Sequence, residues 1–400
     1  MQYTHRCWAE ISLDNARYNF DLIRRLTEGR SKIMAVIKAD AYGHSAVVLA
    51  GEYVKCGVDW FAVSNIDEAL ELRNAGIGLP ILILGYTPPE CAGLLSRHSI
   101  TQTVFSREYA CELAEAARRC GCVISIHLKI DTGMSRIGLF YHDQKRDAAA
   151  VDDAEYICRL SEFEHDGIFT HFSAADAGDE GEEFTNKQFE LFTGMISRLA
   201  ERGITFKNRH CCNSAAIIDY PRFHLDMVRP GIILYGLQPS SDVRNKVNFK
   251  PVMSLKSVVS NIKSVPQGTD ISYGRTFTTS HASTIATVPV GYADGYPRLL
   301  SSKADMLVCG KRARVCGRVC MDQLMLDVTG IDGVHTGMEI VCMGESGGER
   351  ITADELAGAT GTINYELTCG ISKRVPRIFI DGGKKTGFVS HIPSTGYFPL

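Results

Sequence analysis

S-K-I-M-A-V-I-K-A-D-A-Y-G-H, residues 31–44, is the stretch from which the fold is read. Its first half is a short apolar run rich in β-branched residues, the pattern of a strand buried on both faces. Lys38 closes the run, Gly43 follows, and apolar residues at helical spacing resume at Ala46. Lys38 and Tyr42 therefore stand at a strand-to-loop-to-helix junction, where α/β proteins carry their reactive groups. Taken alone, the plainer reading of Lys38 is a surface lysine just past a strand end.

Downstream the same rhythm repeats. Apolar runs recur at residues 60–66, 80–86, 101–105, 123–130, 167–172, 206–213 and 223–232, with helical patterns between most of them, as at 46–55, 67–75, 107–119 and 185–202. Counting the lysine strand, eight strand signals alternate with helices, which fits an α/β fold of the (β/α)8 barrel type better than an open sheet. Residues 8–12 alternate like a strand and 13–26 carry helical spacing. The polar stretch 238–250 marks a boundary, beyond which 252–265, 284–291, 306–310, 314–319, 323–328 and 339–343 read as short strands, with one helical pattern at 352–360. The expected organisation is a barrel over 12–240 and a mostly β domain over 241–385, with residues 1–11 joining the latter. The segment 382–400 holds no readable pattern, and 386–400 is expected to be a tail.

The 400 residues carry a net charge of −3 with 22% charged residues, so nothing draws the chain to nucleic acid or a membrane surface, and the expected partner is a small molecule. No apolar run reaches the ~18 residues of a membrane span and the first residues form no secretory signal, so the expected location is the cytosol. The 14 cysteines are scattered without C-x-x-C pairs and read as reduced, small core residues. No metal-binding or nucleotide-binding motif is present.

Lys38, Lys129, Arg136, His171, Ser214 and Arg229 all fall at, or just past, the C-terminal ends of expected strands. In a barrel those ends form one mouth, so residues nearly 200 positions apart share a pocket. An arginine fork there is a natural clamp for a carboxylate. Singly, each has a plainer reading: Arg136 as a solvated loop residue, His171 as a satisfied core imidazole, Ser214 as a helix N-cap.

The words around these residues resemble those of the alanine racemases. A-V-I-K-A-D-A-Y-G-H, H-L-K-I-D-T-G-M-S-R-I-G at 127–138, S-Y-G-R at 272–275, G-Y-A-D-G at 291–295, G-R-V-C-M-D-Q at 317–323 and I-N-Y-E-L at 363–367 occur in that family's order. The resemblance covers about residues 8–378 and implies a homodimeric enzyme in which Lys38 carries pyridoxal 5'-phosphate. It implies two opposed bases, Lys38 on the D side and Tyr273, from the second subunit, on the L side. Arg136 would lie near the substrate carboxylate, oriented by a carbamylated Lys129, and His171 in a hydrogen-bond relay beneath Tyr273. Tyr42, Ser214, Gly231, Ile232 and Tyr365 match phosphate contacts. Arg229 would face the pyridine nitrogen, and because arginine holds its proton too tightly to give it up, the ring stays a weaker electron sink. Tyr292 falls in an entrance motif, Met321 and Asp322 in a substrate pocket. The product would be D-alanine for peptidoglycan. Departures are small: Ser45 stands where glycine is common, Cys212 where alanine is. A racemase of serine or other small amino acids, a same-barrel decarboxylase of basic amino acids, and a pyridoxal-phosphate-binding protein without turnover remain as alternatives.

Overall fold

The computed structural model describes residues 6–391, so the first and last few residues, including most of the expected tail, lie outside the described residues. The chain forms two compact units, one of residues 16–41 and 46–250, the other of residues up to 15, 42–45 and 251 onward.

In the first unit eight strands pair in parallel, in the order Met227–Val228, Lys32–Val36, Trp60–Val63, Ile81–Ile83, Ile100–Val104, Ile124–Asp131, Phe163–Phe169, Asn208–His210. Two backbone bonds close the ring between first and last: Asp226 N–H donates to Arg209 O at 3.2 Å and Arg229 N–H to Cys212 O at 3.0 Å. The result is a (β/α)8 barrel. Ile33, Met34, Ala35, Phe61, Ala62, Ile81, Leu82 and Ile83 are fully buried, which is why these strands read as unbroken apolar runs rather than alternations. By contacts this unit takes in the polar stretch up to Lys250, which folds back on it: Asp219 accepts from the backbone of Arg244 and Asn245, and Asn19 Oδ1 from Lys250 N.

The second unit is built on a sheet in which Asn261–Val265, Ser283–Val288, Leu324–Asp327, Lys311–Val315, Asp305–Val308, Glu339–Ser346, Met253–Val258, Cys7–Ser12, Arg377–Asp381 and Lys384–Val389 are successive neighbours. The N-terminal strand sits inside this sheet, antiparallel to Met253–Val258 and parallel to Arg377–Asp381. Lys384–Val389, in the stretch without a readable pattern, is an exposed edge strand whose pairing is set by backbone bonds rather than by an apolar face. The helical pattern at 352–360 corresponds to the helix Ala353–Thr360, which Thr352 caps by accepting from Glu355 N. The cysteines are all free, but Cys111, Cys120, Cys309 and Cys369 are exposed rather than core, being on outward helix faces or turns. No described helix is long and apolar enough to cross a membrane.

Candidate active site

Lys38 is fixed from behind on both sides of its strand. Val36 N–H donates to Pro230 O and Ile37 N–H to Ala62 O, each at 2.9 Å, while the phenol of Tyr235 donates to Val36 O at 2.8 Å. The chain then does something its sequence does not announce: Lys38–Gly43 is a short helix of left-handed sense, with φ of 52, 53, 53 and 54° at Ala39, Asp40, Ala41 and Tyr42 and 85° at Gly43. Ala41 N–H donates to Ile37 O at 2.9 Å. Each L-residue so placed costs about 1–2 kcal/mol, so the turn exists only because its surroundings impose it. Glu68 Oε1 accepts from Ala39 N and Asp40 Oδ1 from Ala46 N, both at 2.7 Å, and the imidazole of His44 bonds Tyr42 O at 2.9 Å.

Across the barrel, Arg229 is buried at the end of its strand and organises three histidines. Its Nη1 donates to His210 Nδ1 at 2.8 Å and its Nη2 to His171 Nδ1 at 3.3 Å, with further bonds from Nη2 to Thr170 O and Cys211 O. Arginine only donates, so both imidazoles must accept at Nδ1 and carry their protons on Nε2. His210 Nε2 then donates to His127 Nδ1 at 2.9 Å, leaving the Nε2–H of His127 buried without an acceptor. That ring fits only because residue 167 is glycine, where a Cβ would lie 2.5 Å from it. Burial lowers the pKa of His127 to about 3, and burial with the charge of Arg229 holds His210 and His171 well below the usual range. The charges of Lys129, Arg136 and Lys38 also act on His171. Burial draws Arg229 down only to about 10, so it stays charged at neutral pH.

Lys129 is buried, donates to Ile130 O at 2.8 Å and sits 5.3 Å from the Phe169 ring centre. Burial, then the charge of Arg229, lowers its pKa to about 7, making it an amine substantially neutral near physiological pH. Arg136 is exposed at the mouth, on a loop anchored by Asp131, whose Oδ1 accepts from the N–H groups of Gly133, Met134 and Ser135, each at 3.0 Å. Burial works against the Asp131 carboxylate, but those bonds outweigh it and hold its pKa low. At the last two strand ends Gly231 N–H donates to Ser214 Oγ at 2.9 Å, Ile232 following directly. Ser214 is the first residue of its helix, not the cap; Asn213 caps it, accepting from Ala216 N at 3.0 Å, which leaves the serine hydroxyl turned to Gly231.

In the β unit the rings of Tyr42 and Tyr365 lie 6.0 Å apart, and burial raises the pKa of Tyr42, so its phenol stays a donor. Tyr273 is 71% exposed, in a turn where Ser272 takes φ of 70° and donates through its hydroxyl to Arg318 O at 2.7 Å. Tyr292 N–H donates to Cys320 O at 3.1 Å and Ala293 N–H to Met321 O at 3.0 Å. Tyr292 and Met321 are exposed too, so all three side chains project from segments gathered on 318–321. Asp322 is paired with Arg374 at 2.6 Å. His127, His210, Asp131, Glu68 and Asn213 are supports that pattern reading passes over. Two histidines 83 residues apart give no signal without the fold, whereas an aspartate at a strand end before T-G-M-S could have been read as a loop anchor. Among the described residues no group of three or more His, Cys, Asp or Glu side chains is arranged to hold a metal.

The alanine racemase N-terminal domain model matches residues 11–239 and the C-terminal domain model residues 252–379. The chain is 48% identical over 375 residues to alanine racemase 2 of Caldanaerobacter subterraneus subsp. tengcongensis, covering 94% of this chain and 95% of that one. It is 47% identical over 378 residues to alanine racemase 1 of Clostridium acetobutylicum, covering 94% and 96%. Among solved structures, alanine racemase of Clostridium difficile 630 matches with a TM-score of 0.91 at 42% identity, over 97% of this chain and 99% of that one. That of Bacillus anthracis with bound L-Ala-P matches at 0.90 and 35%, over 99% and 100%. With both domain models accounting for most of its length, and relatives near half identical end to end, the chain belongs to the alanine racemase family.

Proposed function

We propose that this protein interconverts L- and D-alanine with pyridoxal 5'-phosphate, working in the cytosol as a homodimer and supplying D-alanine for peptidoglycan. The observation that carries this reading is Arg229 with His171. A guanidinium that stays charged forces the neighbouring imidazole to keep Nδ1 as acceptor and to present an Nε2–H. That is a donor suited to lower the pKa of a phenol in front of it from ~10 by favouring the phenolate.

The donors fit the cofactor. The Ser214 hydroxyl, the backbone N–H groups of Gly231 and Ile232, and the phenols of Tyr42 and Tyr365 are neutral donors of the kind that hold a phosphate, the Gly231 N–H exchanging its bond to Ser214 Oγ for one to the phosphate; Lys38 is the amine that would hold the aldehyde, and Arg229 would face the ring nitrogen. When bound, the cofactor supplies an electron sink for the charge left as the Cα proton departs. Arg136 holds the substrate carboxylate, with Lys129 oriented against it; Met321 and Asp322 are assigned to substrate binding and Tyr292 to the entrance. Lys38 takes or returns the proton at Cα on the D side. Tyr273 of the partner subunit does so on the L side, backed by His171. The exposure of Tyr273, Tyr292 and Met321 supports their completing a second copy's site. The neutral form of Lys129 is the one that reacts with carbon dioxide, which supports its carbamylation.

Borohydride reduction of the protein with pyridoxal 5'-phosphate, followed by peptide mass mapping, should place the adduct on Lys38. Tyr273→Phe should slow exchange of the α-proton from L-alanine by about 10²–10⁴-fold while exchange from D-alanine falls less. Adduct formation elsewhere, or unchanged exchange from L-alanine, would refute the assignment.

A further inference from the structure

Arg377 is 1% exposed, and four of its hydrogen bonds run to backbone carbonyls: Nε to Gly43 O at 2.9 Å, Nη1 to Ser372 O and Val375 O at 2.6 Å each, and Nη2 to Ile371 O at 2.7 Å. These carbonyls belong to two separate stretches. One is the last residue of the left-handed turn; the other is the loop that leaves the helix Asn364–Cys369. The same two stretches meet again beside the guanidinium, where a Cβ at Gly43 would lie 2.4 Å from Thr368 O and 3.7 Å from Arg377 Nη2. Gly43 follows Tyr42 directly, and Thr368 stands three residues, nearly one helical turn, after Tyr365. The ring centres of the two tyrosines lie 6.0 Å apart.

A planar fork with five fixed donors can span both stretches at once; an ammonium, with its donors at one point, cannot. We propose that Arg377 is a positioning residue for the cofactor phosphate, clamping the turn of Tyr42 to the helix of Tyr365 so that both phenols converge on one phosphoryl group. This rests on the functional reading above. The competing account is that Arg377 only holds its strand in the sheet. In that case its loss weakens the unit as a whole, and binding with or without a phosphate suffers alike.

The two accounts separate when the cofactor-free, full-length protein is titrated with pyridoxal 5'-phosphate and with pyridoxal, by absorbance. Circular dichroism confirms that each variant is folded. Arg377→Lys should weaken binding of the phosphate form about tenfold or more, in line with the penalty for ångström-scale misplacement, and pyridoxal less than about twofold. In the Arg377→Lys background Tyr365→Phe should cost clearly less than in the wild type, since the phenol is already displaced. Should Arg377→Lys not fold, Arg377→Gln and Gly43→Ala, which loosens the clamp from its other end, carry the same expectation. Equal weakening of both compounds, or unchanged affinity for the phosphate form, overturns the proposal alone. A wild type that binds neither compound overturns the functional reading and this one with it.

Discussion

Ala39, Asp40, Ala41 and Tyr42 stand in a row at positive φ immediately after Lys38, and this reverses an ordinary expectation about glycine. In a right-handed helix Ala→Gly costs about 1 kcal/mol. Ala39 is exposed with φ of 52°, so Ala39→Gly should instead be neutral or raise stability by up to about 1 kcal/mol, relief of strain exceeding the added unfolded-state entropy. Denaturant midpoints of the two proteins would show it. Loss of more than 1 kcal/mol would mean that the turn is not strained at that position. Lys129 permits a second check at this scale. Since an amine with a pKa of about 7 is largely unprotonated above neutrality, protein in ¹³C-labelled bicarbonate at mildly alkaline pH should show a carbamate carbon signal that Lys129→Gln lacks.

At the scale of elements, the loop that carries Arg136 depends on Asp131. Three N–H groups converge on one carboxylate oxygen, so Asp131→Ala releases the loop without touching the arginine. The expected result is a raised KM for alanine with a smaller change in kcat, measured by steady-state kinetics in both directions. An unchanged KM would show that the loop holds itself. The same elements show what the sequence makes legible. Most of the barrel strands could be read because burial on both faces writes them as apolar runs, and Lys38 because it terminates one of them. The left-handed turn could not be: A-D-A-Y has no local preference for that hand, and contacts distant in sequence, from Glu68 to Ala39 N and from Gly43 to Thr368, help impose it. Ser214 could be read as a cap, but the cap is its neighbour Asn213, and the serine hydroxyl accepts instead from Gly231 N–H, a partner 17 residues away that local pattern does not show. Tyr273, Tyr292 and Met321 owe their recognition to the family's words, because an exposed side chain leaves no periodic trace.

For the whole molecule, the buried histidines contribute to the response to acid. His127 and His210 are fully buried with folded pKa values below the usual range, so as pH falls through ~6.5 the unfolded chain takes up protons that the native one refuses. The unfolded state binds more protons there, and stability therefore falls as pH drops. The slope is roughly 1.4 kcal/mol per pH unit for each such group. Urea unfolding of the cofactor-free protein between about pH 6 and 4 should show this loss, and His127→Gln should flatten it; an unaltered slope would contradict the assignment. Assembly offers a further test, since a site completed by Tyr273 of a second copy should lose specific activity on dilution in step with dimer dissociation followed by light scattering.

The mirror-handed turn after Lys38 has one more consequence. Four successive residues there hold the backbone shape that D-amino acids adopt without penalty. A semisynthetic chain with D-alanine at exposed position 39 should therefore fold at least as stably as the natural one, whereas the same exchange in a right-handed helix such as Arg107–Cys120 should unravel it. At that position the protein would accept in its own backbone the enantiomer it is proposed to make.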